Sequence, residues 1–157
     1  MVSLSSRPWV WVDQPDAFQR MLVELRQSPV LGVDTEANSL YAYRERVCLI
    51  QLSSEQADYL VDPLTLQDLE GLGAIFADEH TQKVFHAGEF DLLGLKRDFG
   101  FRFENLFDTM IAAMLLGYER WGLADVLSAE LGIELDKRYQ KADWGRRPVQ
   151  EAMKDYA

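Results

Sequence analysis

The sequence predicts one α/β domain in which a mixed central β-sheet is flanked by helices. Three strand-like segments follow one another without a helix between them, and the later part of the chain alternates short strands with helices. Consecutive strands pair through short turns, whereas parallel strands need long crossovers such as helices, so this order indicates both kinds of pairing in one sheet. The length of 157 residues, with 48% hydrophobic and 27% charged residues, fits a single domain with one core.

The first half of the chain is expected to supply one helix and several strands. Segment 13–27 has the spacing of an amphipathic helix, with Asp13 as its expected cap. Trp9 and Trp11 are expected in a first edge strand. The apolar stripe of the helix consists of Phe18, Met21, Leu22 and Leu25. The three consecutive strands are expected at VLGVDTE (30–36), RVCLIQLSS (46–54) and DYLVDP (58–63).

The second half alternates between helices and short strands. Gly100 is expected to close the helix in GEFDLLGLKRDFG, and Pro148 to open the last helix. Short strands are expected at 82–87 and 103–109, and helices at 64–78, 88–100, 110–118, 122–131 and 148–157.

The formal net charge of −10 argues against nonspecific adhesion to nucleic acids or anionic membranes, which needs a basic surface. Clustered carboxylates can still bind divalent cations, and those cations then attract a polyanion. No apolar stretch approaches the length of a membrane span, and the N-terminus MVSLSSRPWV lacks the features of a signal peptide. The single cysteine, Cys48, has no partner for an internal disulfide. We therefore expect a soluble cytoplasmic protein without a membrane partner.

Two carboxylates, Asp34 and Glu36, end the strand in VLGVDTE. Because side chains alternate along a strand, both lie on the same side, where they repel each other unless a cation lies between them. A hard cation such as Mg²⁺ or Mn²⁺ prefers oxygen ligands of this kind. Asp91 is expected on the first turns of a helix, and Asp108 just after a short strand. Taken singly, these acids have the simpler interpretation of solvated strand ends and helix caps.

Four motifs in the order VDTE, FHAGEFD, FDTMIAAMLLG and DWGRRPVQEAMKDYA resemble the exonuclease domain of the DEDD superfamily, and ribonuclease D in particular. The resemblance extends from about residue 9 to the C-terminus. It implies a ribonuclease H-like fold, which agrees with the predicted order of elements. It also implies hydrolysis of nucleotides from a 3′ end with the help of two metal ions, Mg²⁺ or Mn²⁺.

The same resemblance implies roles for individual residues. Asp34, Glu36 and Asp91 match the metal-binding acids, and Tyr156 matches the tyrosine that orients the attacking water in the DEDDy branch. These four residues are the predicted catalytic set. Asp108 matches an aspartate that we interpret as supporting the metal ligands without binding a metal itself.

Several residues are candidates for substrate binding. Leu40 matches an apolar position that packs against the terminal bases, and His86 is interpreted either as a contact to phosphate or sugar or as a structural histidine. Arg44, Arg146 and Arg147 are interpreted as a positive rim that guides the nucleic-acid backbone. Their simpler interpretation is as charges on solvated loops.

The third motif of the family continues to an aspartate four residues after its tyrosine, but this sequence ends at Ala157. We therefore expect residues 1–157 to be one 3′-5′ exonuclease domain that is truncated within this motif, so that one metal would lack a ligand. RNA is the favoured substrate. The alternatives are a 3′-5′ exonuclease that acts on DNA and a nucleic-acid-binding domain without turnover. The sequence does not predict an oligomeric state.

Overall fold

The computed structural model describes residues 8–157 and contains one six-stranded mixed sheet with the order β1-β4-β3-β2-β5-β6. Residues 1–7, which belong to the segment considered for a signal peptide, lie outside the described residues. Successive elements are β1 (Trp9–Val12), α1 (Pro15–Leu25), β2 (Val30–Ala37), β3 (Val47–Ser53), β4 (Asp58–Val61), α2 (Glu70–Phe76), β5 (Gln82–Phe85), α3 (Glu89–Phe99), β6 (Leu106–Asp108), α4 (Thr109–Leu115), α5 (Leu123–Leu131) and α6 (Glu151–Lys154).

The sheet combines the two kinds of pairing that the element order predicts. The three consecutive strands β2, β3 and β4 form two antiparallel pairs. The pairs β1/β4, β2/β5 and β5/β6 are parallel. The α/β class with a mixed sheet is therefore confirmed, and β1 with Trp9 and Trp11 is an edge strand as expected.

The main core lies between the sheet and helices α1 and α2. The predicted stripe of α1 is buried there, and Met21, Leu22 and Leu25 are each no more than 1% exposed. The expected cap at Asp13 is wrong. The cap position is Gln14, without a side-chain hydrogen bond, and Pro15 opens the helix. Because proline has no N–H group, the first turn of α1 has one unpaired donor fewer.

Three helices also differ in their bounds from the prediction, and the one expected at 110–118 is found at Thr109–Leu115. The helix expected at 64–78 is confined to α2, because Asp62 organises a turn before it by accepting the N–H of Leu64 at its side chain. The last helix begins at Glu151 and not at Pro148, which follows a cis peptide bond. Among residues 8–157, no helix is long and apolar enough to cross a membrane.

A second, smaller core lies under the C-terminal segment. Trp144, Val149 and Met153 pack there with Cys48, Leu49 and Leu60 of the sheet. The Lys154 ammonium lies over the rings of Trp11, at 4.5 Å, and Trp9, at 5.7 Å. The Trp9 indole N–H donates to Asp155 at 3.0 Å. These contacts hold α6 against the edge of the sheet and so place Tyr156, two residues after the end of the helix.

Candidate active site

Asp34 and Glu36 lie at the end of β2, where this strand extends beyond its parallel neighbour β5. The pairing with β5 ends at Gly32, whereas the pairing with β3 continues through Glu36. On the β5 side, the acidic end of β2 therefore has no strand beside it within residues 8–157. Helix α3 begins at Glu89, soon after β5 ends, and brings Asp91 into this gap. There the Thr35 hydroxyl donates a hydrogen bond to Asp91 Oδ1 at 2.5 Å.

Asp108 holds the turn that leads into α3. Its carboxylate accepts the N–H groups of Ala87 at 3.1 Å and Gly88 at 2.9 Å, and those of Met110 and Ile111 in the first turn of α4. Burial alone would raise the pKa of this carboxyl, but the four backbone N–H groups outweigh burial and lower it. The supporting role of Asp108 stays a prediction, and this turn is the part of the molecule through which it would act.

The turn itself requires an unusual backbone. Ala87 has a left-handed φ of 58°, a conformation that is uncommon for residues other than glycine. A Cβ atom on Gly88 would lie 2.5 Å from the Cβ of Phe85, so only glycine fits where the chain folds back over β5. The anchored turn therefore fixes where α3 starts, and with it the position of Asp91.

The three acids share one electrostatic environment. Burial, followed by the charge of Asp91, raises the pKa of Asp34 to about 6, although its side chain is accessible in an open groove. Burial, with the charges of Asp34 and Asp91, raises the pKa of Glu36 to about 8. Burial also raises the pKa of Asp91. Their carboxyl groups are thus close enough to oppose one another's ionisation.

Tyr156 joins this group from the opposite end of the chain. Burial raises the pKa of its phenol, and the nearby charges of Glu36 and Asp34 raise it further. Its ring packs against Tyr139, with ring centroids 5.7 Å apart, and against Trp144 at 6.3 Å. The structure therefore brings the four predicted catalytic residues together, although they come from three distant segments.

A groove of about 1070 Å³ adjoins the acids, and its lining includes Asp34, His86 and Tyr156, whereas Glu36 and Asp91 lie outside it. His86 Nδ1 lies 2.8 Å from the Thr109 hydroxyl, which donates its own proton to a backbone carbonyl at 3.0 Å. That hydroxyl can therefore only accept from the Nδ1–H group. In the neutral ring Nε2 is then an acceptor, and it is buried without a hydrogen-bond partner among residues 8–157.

The other predicted substrate contacts separate into two groups. Leu40 is 67% exposed, and Arg44 and Arg146 are also exposed, as residues that meet a substrate must be. Arg147 is different. Its guanidinium donates to both carboxylate oxygens of the buried Asp62 and to the carbonyls of Cys48, Trp144 and Arg146.

These bonds use all five N–H donors of the guanidinium. Arg147 therefore has no donor left for a phosphate, and we correct its predicted role to a structural one. No local sequence pattern indicates this pairing, because the partners Asp62 and Arg147 are 85 positions apart.

A family model described as a 3′-5′ exonuclease matches residues 9–157. The chain belongs to the 3′-5′ exonuclease domain family. This exonuclease domain is 35% identical over 156 residues to the exosome complex component 10 homolog of Caenorhabditis elegans, covering 99% of this chain and 18% of that protein. It is 36% identical over 160 residues to the exosome complex exonuclease RRP6 of Saccharomyces cerevisiae, covering 98% and 22%. The chain thus spans about a fifth of the length of these curated relatives.

Solved structures agree with this assignment. The catalytic core of RRP6 from Trypanosoma brucei superposes on 99% of the exonuclease domain with a TM-score of 0.91 and 34% identity, over 44% of its own chain. Escherichia coli RNase D, described as an exoribonuclease involved in structured RNA processing, superposes on 96% with a TM-score of 0.89 and 32% identity, over 40% of its chain. The fold is therefore ribonuclease H-like, as the resemblance implied.

Membership of this family of metal-dependent exonucleases implies divalent cations, and the donor set of the domain fits them. Asp34, Glu36 and Asp91 offer only oxygen ligands, and their mutual repulsion is relieved by a cation. As positioned, however, no group of three or more His, Cys, Asp or Glu side chains within residues 8–157 is arranged to hold an ion. One carboxylate oxygen of Asp91 accepts the hydrogen bond of Thr35, a residue that the sequence motifs left without a role.

The exonuclease domain should lose stability with rising pH when metal is removed. The folded-state pKa of Glu36, about 8, lies above its ordinary value of 4.5. Between these two pH values the carboxyl group is ionised in the unfolded chain but protonated in the folded one, so the free energy of unfolding falls as the pH rises. In EDTA at pH 8, Glu36→Gln should therefore melt about 3 to 6 °C above the wild type, with the difference shrinking towards pH 5. Thermal unfolding followed by circular dichroism measures this, and equal or lower melting temperatures for Glu36→Gln at pH 8 would contradict it.

The exposed Glu119 provides the matched control. Glu119→Gln should leave the melting temperature unchanged at both pH values. Saturating Mn²⁺ should raise the melting temperature of the wild type but not that of Glu36→Gln. The difference in melting temperature between the two proteins should therefore shrink.

Proposed function

We propose that this chain is a 3′-5′ exoribonuclease domain that trims RNA 3′ ends by metal-dependent hydrolysis in the cytoplasm. The observation that carries the proposal is the meeting of three mutually repelling acids and a tyrosine from distant segments. The domain comprises residues 1–157. RNA is favoured because RRP6 is an exosome exonuclease and RNase D is an exoribonuclease by their descriptions.

Asp34, Glu36 and Asp91 would hold two ions, Mg²⁺ or Mn²⁺. When bound there, such ions would provide an activated water and offset the charge on the leaving 3′ oxygen. Tyr156 orients the water through its hydroxyl, which burial and the adjacent acids keep protonated. No nucleophilic side chain is needed for this chemistry, because water is the nucleophile.

The substrate contacts follow from exposure and chemistry. Leu40 offers an exposed apolar surface to the terminal bases. Arg44 and Arg146 are exposed cations, so they are free to meet phosphates of the substrate. His86 Nε2, as an acceptor, suits a sugar hydroxyl rather than a phosphate oxygen.

The direct test uses single-stranded RNA and DNA of the same sequence, labelled at the 5′ end, with Mn²⁺ or Mg²⁺. A ladder that shortens from the 3′ end, faster for RNA, is the expected result. Asp34→Asn should abolish it, and Asp16→Asn, at an exposed acid of α1, should not.

Two other results would overturn the proposal. Faster shortening of DNA would assign the domain to DNA ends. Binding of either strand without cutting would leave a nucleic-acid-binding domain without turnover.

A further inference from the structure

Thr35 lies between two of the acids but takes part in none of the roles described so far. Because side chains alternate along β2, its side chain leaves the strand on the face opposite to Asp34 and Glu36. Its hydroxyl nevertheless reaches the third acid, donating to Asp91 Oδ1 at 2.5 Å. This length is typical of a hydroxyl bonded to an ionised carboxylate, which is a strong class of hydrogen bond. One side chain thus connects the acidic strand to the acidic helix.

The bond restricts the carboxylate of Asp91. Threonine is β-branched and has few χ1 conformations, so the position of its hydroxyl follows closely from the position of β2. An aspartate is less restricted, because it is not β-branched and the last torsion of its side chain is broad. The Thr35 hydroxyl therefore sets where the carboxylate of Asp91 lies relative to the strand that carries the other two acids.

We propose that Thr35 is a positioning residue for divalent cations, whose hydroxyl holds the carboxylate of Asp91 in place relative to Asp34 and Glu36. The inference rests on the proposed function, because it requires the three acids to bind a cation. Without the hydroxyl, the carboxylate of Asp91 must be ordered when the ion binds, which weakens binding.

Titration of the chain with Mn²⁺, followed by the loss of the free-ion electron paramagnetic resonance signal, tests this without any need for turnover. Thr35→Val, which keeps the shape and removes the hydroxyl, should raise the Kd for Mn²⁺ about 10-fold. Thr35→Ser keeps the hydroxyl and should bind nearly as the wild type does. Thr65→Val is the matched control, because the hydroxyl of Thr65 donates only to a backbone carbonyl away from the acids.

A double-mutant cycle separates positioning from general damage to the fold. In an Asp91→Asn background, Thr35→Val should weaken Mn²⁺ binding no further, because the partner carboxylate is already gone. Melting in EDTA checks that each variant is folded, and Thr35→Ala replaces Thr35→Val in the comparison if the valine does not fit.

The outcomes separate the role of Thr35 from the proposed function of the domain. Wild-type affinity in Thr35→Val, or equally weak binding in Thr35→Ser, would overturn the role of Thr35 and leave the proposed function intact. An absence of Mn²⁺ binding by the wild type would overturn both.

Discussion

Asp91→Asn should slow the removal of 3′ nucleotides from RNA by at least about 100-fold, because one charged ligand is lost from a centre that works through electrostatic stabilisation. The fold should survive, since asparagine has nearly the same shape and the position lies on the first turn of α3. Thermal unfolding in EDTA should show no loss of stability. The measurement is the initial rate of shortening of 5′-labelled RNA at saturating Mn²⁺.

The matched control lies two residues away. Glu89 is the other acid in the first turn of α3, and it is exposed. Glu89→Gln should keep most of the wild-type rate. Equal rates in the two variants, whether both high or both low, would mean that Asp91 has no special part in the chemistry.

Arg147→Ala should lower the free energy of unfolding by about 3 kcal/mol, because breaking a buried ion pair leaves the partner charge unpaired. The group left without its partner is Asp62, which is 1% exposed and forms no other salt bridge within residues 8–157. Three backbone carbonyls lose a donor as well. Urea denaturation followed by tryptophan fluorescence measures the change.

The neighbouring arginine should behave in the opposite way. Arg146 is exposed, so Arg146→Ala should change stability by less than about 0.5 kcal/mol. It should instead weaken binding of single-stranded RNA, measured in Ca²⁺ to limit cleavage. Loss of stability in Arg146→Ala, or full stability in Arg147→Ala, would contradict the separation of roles between these two residues.

The parts of the fold that follow from periodic patterns were predictable. The stripe of α1, the three consecutive strands and the closure of α3 at Gly100 each depend on local sequence, and each is found where it was expected. Helix starts were less predictable. Asp13 and Pro148 both resemble start signals, but the structure begins those helices at Pro15 and Glu151.

In the candidate site, too, features marked by local sequence were predictable and contacts between distant segments were not. The proximity of the acids was predictable, because motifs with known order select them and alternation along a strand places Asp34 on the same side as Glu36. Their role as metal ligands stays a prediction. Contacts between distant segments were not predictable. The pairing of Arg147 with Asp62, and of Thr35 with Asp91, depends on how the sheet and helices pack, and no local signal distinguishes these residues from others of their type.

The most direct test of a metal-dependent hydrolytic centre is the identity of the released product. Attack by water with departure of the 3′ oxygen leaves the phosphate on the 5′ position of the released nucleotide. Mass spectrometry of an RNA digest should therefore show nucleoside 5′-monophosphates that appear with Mn²⁺ and disappear with EDTA. Cyclic 2′,3′-phosphates, internal fragments or products that persist in EDTA would contradict the account.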